Sequence, residues 1–255
     1  MTSNKSPLRY PGGKTRACKI LDTIINDYFD IKSFDTIISP FFGGGSFEFH
    51  MQNKYNLKLI VNDKFTPLYN FWKQVKNDKT VLCEELRKVI QVSKDDFMNY
   101  RKIIMTLNDN ILEQALYYFI LNRCSFNGSI LSSGYSLKSN KTKFTQSSIN
   151  NIELLDLSNI DIYNKDFIDF INDIDNEDEN KRLMFLDPPL YGDIHENFNH
   201  QLLFELIKTK RNWIMIYNNN DYIKSLYKDF IIIELKYKYD INIDKKISEI
   251  IILSI

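Results

Sequence analysis

The residues best suited to chemistry are an aspartate and two prolines that end a short apolar run. In KRLMFLDPPLYG, residues 183 to 186 are apolar and lead into Asp187, Pro188 and Pro189. Such a run is typical of a central strand in a parallel sheet, and ligands bind beyond the carboxyl ends of such strands. A carboxylate beside rigid carbonyls predicts an acceptor-only site for an amino group that is alkylated. An ordinary Pro-Pro turn is the alternative.

Three consecutive glycines follow another predicted strand and suit a ligand that lies against the backbone. The segment FDTIISPFFGGGSFEF predicts a strand over residues 36 to 39, a glycine turn, and a helix that begins near Phe47. The strand in LKLIVNDK ends at Asp63, about 20 residues further on, where an acidic residue bonds ribose in nucleotide-binding folds. The glycines lack the dinucleotide spacing, so we expect one adenosine moiety rather than NAD.

The N-terminal segment PLRYPGGK predicts a tight loop in front of a helix. Pro11, Gly12 and Gly13 let a ligand approach the backbone closely, and Lys14 stands directly before a helical apolar pattern. This arrangement suits an anion or a carboxylate. An ordinary loop with a helix cap is the alternative.

The middle of the chain breaks the alternation of strands and helices. Residues 66 to 121 carry helical periodicity without a strand signal, which predicts three or four helices in an inserted lobe. The next stretch, NRCSFNGSILSSGYSLKSNKTKFTQSSINNI, predicts a loop that follows a phosphate backbone, with a plain surface loop as the alternative. The last two apolar segments, FIIIELKYKYDI and SEIIILSI, predict an antiparallel pair at the sheet edge, joined by a polar turn.

The composition indicates a folded protein and excludes several classes. Apolar residues make up 44% of the 255, and the formal net charge is zero, so an overall basic signature of nucleic-acid binding is absent. The three cysteines include no Cys-x-x-Cys pair, and His50, His195 and His200 show no metal spacing, so we expect no disulfide framework and no metal site. Without a signal sequence or a long apolar span, no membrane association is expected.

In their order along the chain, PLRYPGGK, PFFGGGS, VND, NRCSFNG and LDPP resemble the motifs of the D12 class of DNA adenine methyltransferases, α group. The resemblance covers nearly the whole chain. It implies an α/β, Rossmann-like fold that uses S-adenosylmethionine, with an inserted helical target-recognition lobe, acting on double-stranded DNA. The implied division is a catalytic and cofactor-binding domain of residues 1–75 and 152–255, and a target-recognition domain of residues 76–151.

The resemblance also implies a role for particular residues. The residues implied in catalysis are Asp187, Pro188, Pro189 and Tyr191. Those implied in cofactor binding are Tyr10, Lys14, Phe42, Gly43, Gly45, Asp63, Asp166, Phe167 and Asp187. Those implied in DNA binding are Arg123, Asn127, Ser129, Lys138, Lys141 and Lys143. Asp187 and the Pro188 carbonyl would accept hydrogen bonds from the amino group of a flipped adenine.

Two residues depart from the family pattern. Leu190 stands where the family has a tyrosine that stacks on the extruded base, by substitution or by a short deletion. Stacking contributes about 1 to 3 kcal/mol per base, so Leu190 should weaken base capture without removing the acceptor Asp187. We hypothesise that Tyr191 replaces the missing ring. Ser39 stands before Pro40, where relatives usually carry an acidic residue.

The sequence therefore favours an adenine-specific DNA methyltransferase. A catalytically impaired relative that binds cofactor or DNA without efficient turnover is the alternative, because of Leu190. An RNA or small-molecule methyltransferase on the same fold is a third interpretation. A cognate restriction endonuclease acting separately is a candidate partner. The expected location is the cytoplasm in a bacterial, phage or viral setting, or the nucleus of a eukaryotic host.

Overall fold

Short apolar runs form the strands of one mixed sheet in this computed structural model, which describes residues 4–10, 12–106, 109–174, 178–192, 198–236 and 248–255. The strands in that part of the chain are β1 Thr36–Ser39, β2 Lys58–Asn62, β3 Ile160–Tyr163, β4 Arg182–Leu186, β5 Trp213–Asn218, β6 Ile231–Lys236 and β7 Ser248–Ser254. Their order across the sheet is β3-β2-β1-β4-β5-β7-β6. Strands β1 to β5 run parallel, and β7 is antiparallel to both of its neighbours. This topology confirms the Rossmann-like α/β fold.

Helices cover the sheet and fill the interval between β2 and β3. Those in the described residues are α1 Cys18–Tyr28, α2 Ser46–Tyr55, α3 Thr66–Lys88, α4 Lys94–Met105, α5 Ile111–Cys124, α6 Leu137–Lys143, α7 Gln146–Glu153, α8 Phe167–Asp173, α9 His200–Ile207 and α10 Asp221–Leu226. The predicted antiparallel pair is β6 and β7, and β6 forms the sheet edge while β7 lies inside it. Strand β7, the last in the chain, therefore pairs with β5 instead of lying at the edge.

The strand order places the functional loops together. Strands β1 and β4 are adjacent, with Ile37 opposite Leu183 and Ile38 opposite Met184, although β1 continues toward β2 and β4 toward β5. The connections that leave these two strands therefore lead to opposite sides of the sheet, which makes the gap between β1 and β4 a topological switch point. Ligands bind at such points, outside the carboxyl ends of the strands. The glycine turn after β1 and Asp187 after β4 meet there.

Helices α3 to α7 form the region inserted between β2 and β3. Their buried side chains belong to the same apolar cluster as one face of the sheet, since Phe97 and Ile149 are connected through it to Ile37 and Leu59. Helix α3 is kinked at Asp78, where φ is −156° and ψ is 78°. The kink lies shortly after the expected domain boundary between residues 75 and 76, and the division into two domains stays a prediction.

Two segments differ from the structure that the sequence predicts. The Ser-rich stretch predicted as a loop contains α6 and α7, because the Ser136 and Thr145 side chains cap these helices by accepting from the Ser139 and Ser148 amides. The segment LSNIDIYNKDF predicts a strand that ends near Asp166 and Phe167, whereas β3 ends at Tyr163. Pro11, His195 and the expected polar turn between the last two strands lie outside the described residues. Among the residues that are described, no helix is both long and apolar enough to cross a membrane.

Candidate active site

The centre of the candidate site is an ion pair between the N-terminal loop and the end of β4. Lys14 Nζ donates to Asp187 Oδ2 over 2.8 Å and to the Gly12 carbonyl over 2.8 Å. Lys14 is only 8% exposed, whereas the Asp187 side chain keeps 25% of its surface accessible. Burial raises the pKa of Asp187, and the ammonium of Lys14 opposes this rise. The pair therefore holds an accessible carboxylate in place and supports its ionised form.

Two further carboxyl groups surround this lysine. Glu249 on β7 lies 4.0 Å from Lys14 Nζ, and burial raises its pKa. Glu48 on α2 is 2% exposed and accepts a hydrogen bond from Ser39 Oγ over 2.6 Å. Burial lowers the pKa of Lys14, but Asp187, Glu249 and Glu48 outweigh this effect and raise it. Three acidic groups thus surround one ammonium at the carboxyl edge of the sheet, which suits a cationic ligand.

The glycine turn lies against a tyrosine ring of the N-terminal loop. Gly43 and Gly45 have left-handed φ values of 52° and 67°, which glycine adopts without strain. A Cβ at Gly43 would lie 2.8 Å from Tyr10 Cε1, and a Cβ at Gly45 would lie 2.6 Å from the Phe42 ring. Tyr10 is 41% exposed, so an accessible aromatic face stands beside the turn. The sequence-predicted residues of these two motifs are thereby brought together.

Asp63 fixes the glycine turn from the neighbouring strand. Its Oδ2 accepts from the Gly43 amide over 2.9 Å, and its Oδ1 accepts from the Phe65 amide over 2.9 Å. Asn62 connects the same edge, since its side-chain amide donates to the carbonyls of Pro40 and Lys165. The loops after β1, β2 and β3 are therefore linked to one another. Asp63 lies at the end of β2, where a ribose-binding acid is expected.

Asp166 and Phe167 begin α8 rather than end β3. Asp166 caps the helix, because its Oδ1 accepts from the Ile168 amide over 3.1 Å, while Lys64 pairs with its Oδ2 over 2.7 Å. Phe167 is 8% exposed and packs beside the Phe41 and Phe198 rings, with centroid distances of 5.8 and 4.9 Å. These residues follow β3 at the carboxyl edge of the sheet, and their contact with an adenine ring stays a prediction.

The loop after Asp187 presents an aliphatic side chain. Pro188 is buried and Pro189 half-buried, whereas Leu190 is 48% exposed. The Tyr191 amide donates to Asn218 Oδ1 over 3.0 Å, and the Asn218 side chain returns a bond to the Tyr191 carbonyl over 3.1 Å.

The aromatic ring next in this loop already has a partner. The Tyr191 ring stacks on Tyr222 with a centroid distance of 4.6 Å and an interplanar angle of 21°. His200 lies on another side of the ring, at 5.2 Å. Replacement of the missing stacking ring by Tyr191 would therefore require breaking an existing stack, and it stays a hypothesis.

Arg123 connects the inserted region to the N-terminal loop. Its Nη2 donates to the Pro7 carbonyl, and its guanidinium lies over the Phe119 ring at 5.2 Å. Burial lowers the pKa of Arg123 to about 10. Next to it, Asn122 exchanges two hydrogen bonds with the backbone of Arg9. In this structure Arg123 holds two segments together, and a direct contact with DNA stays a prediction.

The other residues predicted to contact DNA lie at the surface of the inserted region. Asn127 is exposed with a left-handed φ of 53°, and Ser129 is half-buried within hydrogen-bond distance of Ser132. The lysines Lys138, Lys141 and Lys143 are all exposed on α6. Within the described parts of the chain, these three lysines form no ion pair, so α6 presents a cationic surface.

Comparison with known proteins assigns this arrangement to a family. The family model of the D12 class N6 adenine-specific DNA methyltransferases matches residues 10–241. The chain belongs to this family. Membership confirms the family inferred from the motifs and indicates a DNA methyltransferase, with adenine methylation as the activity that the family description names.

Two curated relatives agree with the assignment. The type II methyltransferase M.CviBI of Paramecium bursaria Chlorella virus NC1A is 24% identical over 248 residues, which cover 92% of this chain and 91% of that protein. The type II methyltransferase M.MjaIII of Methanocaldococcus jannaschii is 26% identical over 204 residues, which cover 71% of this chain and 68% of that protein.

Several polar residues of this D12-class site were not predicted from the sequence. Glu249 lies in an apolar run, and its position beside Lys14 depends on β7 entering the sheet next to β5. Glu48 occupies a position on the buried face of α2, where a charged residue among apolar neighbours was the available signal. Asn218 ends β5, and an asparagine at the carboxyl end of a central strand was a comparable signal.

Proposed function

We propose that this chain transfers a methyl group from S-adenosylmethionine to the exocyclic amino group of an adenine that is extruded from duplex DNA at a defined site. The observation that carries the proposal is the Lys14–Asp187 pair, which presents an accessible carboxylate beside the glycine turn at the switch point of the sheet. Family membership supports the adenine substrate.

The residues at the glycine turn and around Lys14 fit the proposed methyl donor. The glycine turn has close-packed backbone where a side chain would collide with Tyr10, and the half-exposed Tyr10 ring gives an apolar surface beside it. The acidic groups around Lys14 suit the positive charge of a sulfonium. When bound, S-adenosylmethionine supplies an electrophilic methyl group, so the protein needs to supply positioning and an acceptor for the departing proton.

Asp187 is the acceptor in this proposal. The amino nitrogen of adenine would form a bond to the methyl carbon while the bond from that carbon to the donor sulfur breaks, and the electron pair would stay on the sulfur, which becomes a thioether. The nitrogen would also lose one proton, which would pass to the carboxylate or through it to water. Lys14 supports this role because its ammonium favours the ionised form of Asp187. The Pro188 carbonyl, next in the chain, is the second proposed acceptor. Holding the amino group between fixed acceptors orients it and converts the transfer into an intramolecular step.

The inserted region is the proposed contact with DNA. The exposed lysines of α6 provide charges for phosphate contacts, and the exposed Asn127 provides a polar side chain for base edges. Because the chain has no net charge, binding would depend on this local surface rather than on the overall field.

A catalytically impaired relative is the second candidate. Leu190 supports it, since this exposed aliphatic side chain cannot provide the aromatic stacking that an extruded base would gain. The stack between Tyr191 and Tyr222 further reduces the aromatic surface of this loop that is available to an extruded base.

Transfer of labelled methyl groups from S-adenosylmethionine to unmethylated genomic DNA tests both candidates. We expect label on DNA with the unchanged protein, a loss of about 100-fold or more in Asp187→Ala, and full activity in Asp35→Ala, an exposed aspartate at the opposite edge of the sheet. Label with the unchanged protein and equal label with Asp187→Ala would contradict the role of Asp187. No label from the unchanged protein, together with recovery in Leu190→Tyr, would favour the impaired relative.

A further inference from the structure

Glu48 is a buried carboxyl group that the proposed chemistry does not use. It lies in the first turn of α2, directly after the glycine turn, and is 2% exposed. Its side-chain hydrogen bond comes from the neutral hydroxyl of Ser39 over 2.6 Å, while the ammonium of Lys14 donates to Asp187 and Gly12. An ionised carboxylate buried with a hydroxyl as its partner is costly. Glu48 therefore favours its protonated form.

The site around Glu48 already contains negative charge. Burial raises the pKa of Glu48 to about 8, and the charge of Asp187 adds to the rise. The hydrogen bonds from Ser39 and from the Glu48 backbone amide, together with the charge of Lys14, oppose it. The Cys18 thiol on α1 donates to the Ser46 carbonyl, and burial, together with the charge of Glu48, raises the pKa of this thiol to about 11, so it remains neutral. Glu48 is therefore a group of this cluster whose protonation changes near neutral pH.

We propose that the Ser39–Glu48 pair is a proton-linked positioning device, in which Glu48 releases its proton to solvent when a cationic methyl donor binds. This inference rests on the proposed function. A bound sulfonium near the cluster would stabilise the negative charge of Glu48, whereas the thioether that remains after methyl transfer would not. The pair would therefore favour the donor over the spent product, and Ser39 would lower the cost of the ionised state.

The proton linkage predicts how affinity depends on pH. If the donor binds the ionised form, its dissociation constant falls as pH rises toward 8 and levels off above it, by up to about 50-fold between pH 6 and pH 8. S-adenosylhomocysteine lacks the sulfonium but shares the amino and carboxyl groups of S-adenosylmethionine. Titration of those shared groups therefore cancels in the ratio of the two dissociation constants.

Calorimetric binding of both compounds between pH 6 and pH 9 tests the inference without relying on turnover. For the unchanged protein and for Glu153→Gln, a half-buried glutamate of α7 that pairs with Arg87, we expect the preference for S-adenosylmethionine to increase as pH rises. In Glu48→Gln this pH dependence should disappear. Ser39→Ala provides a second variant: loss of its hydrogen bond raises the pKa of Glu48, so the midpoint should move to higher pH.

The outcomes separate this inference from the proposed function. An equal pH dependence for both compounds, or an unchanged dependence in Glu48→Gln, would overturn the role of Glu48 while leaving the cofactor site intact. A midpoint that does not move in Ser39→Ala would also contradict it. Failure of the unchanged protein to bind either compound at any pH would overturn the proposed cofactor, and the inference with it.

Discussion

The ammonium of Lys14 lies 2.8 Å from Oδ2 of Asp187, although 173 positions of the chain separate the two residues. The contact joins the loop before α1 to the end of β4. Lys14 is buried and Asp187 is accessible, so the ammonium pairs with the carboxylate from the protein interior. The accessible part of the carboxylate stays open to a substrate. A residue that resembles a cofactor contact in the sequence is thus also the partner of the proposed proton acceptor.

Replacement of Lys14 by glutamine should change the pH dependence of methyl transfer. Without the ammonium, burial raises the pKa of Asp187 unopposed, so the rate should begin to fall at a higher pH than in the unchanged protein. At neutral pH we expect a loss of about tenfold or more. Single-turnover rates measured from pH 5 to pH 9 provide the profile.

Lys19→Gln is the matched control, because Lys19 is an exposed residue of α1. Its profile should equal that of the unchanged protein. If Lys14→Gln weakened binding of S-adenosylmethionine but left the acid limb of the profile in place, Lys14 would be a cofactor contact and not the partner that tunes Asp187.

Local sequence patterns were sufficient to predict the strands and turns that carry the principal motifs. The apolar run before Asp187 is β4, and the glycine turn connects β1 to α2 as expected. These elements are specified by short-range features: apolar runs, glycines that accept left-handed φ, and prolines that end a strand. The position of Asp63 at the end of β2 follows from the same features.

The contacts between distant segments could not be predicted in this way. The order of strands decides that Glu249 lies near Lys14, and no local pattern encodes that β7 pairs with β5. The hydrogen bond between Ser39 and Glu48 likewise depends on how α2 packs against β1, because Glu48 lies on the buried face of that helix. Helices α6 and α7 were not predicted, because the polar composition of this stretch favours a loop more strongly than its capping residues favour a helix.

Substitution of Gly43 by alanine should disturb the cofactor site. The new methyl group would lie 2.8 Å from the Tyr10 ring, and a left-handed φ of 52° costs a non-glycine residue about 1 to 2 kcal/mol. We expect a lower melting temperature and weaker binding of S-adenosylmethionine, measured by thermal denaturation and calorimetry. Gly134→Ala is the control, because its Cβ would meet no atom within 4 Å. Equal effects of both substitutions would show that close packing at Gly43 is unimportant.

The lysines of α6 should determine how DNA binding responds to salt. Each phosphate contact contributes about −0.9 to the slope of log affinity against log salt, so Lys138→Gln, Lys141→Gln and Lys143→Gln combined should reduce the slope by about 3. The control combines Lys32→Gln and Lys181→Gln, exposed residues that precede β1 and β4 at the opposite edge of the sheet. Fluorescence anisotropy with duplex DNA over a series of salt concentrations measures both. An unchanged slope in the triple variant would exclude α6 from the DNA interface.

Substitution of Leu190 by tyrosine should improve capture of the target base. The side chain is already 48% exposed, so a larger ring fits without entering the core. Base stacking contributes about 1 to 3 kcal/mol, of which we expect roughly 1.4 kcal/mol, a tenfold gain, in the single-turnover rate at subsaturating DNA. Leu154→Tyr, at an exposed position after α7, should leave the rate unchanged. If Leu190→Tyr gave no gain while Tyr191→Ala abolished methylation, Tyr191 would be the stacking residue, released from Tyr222 when the base enters.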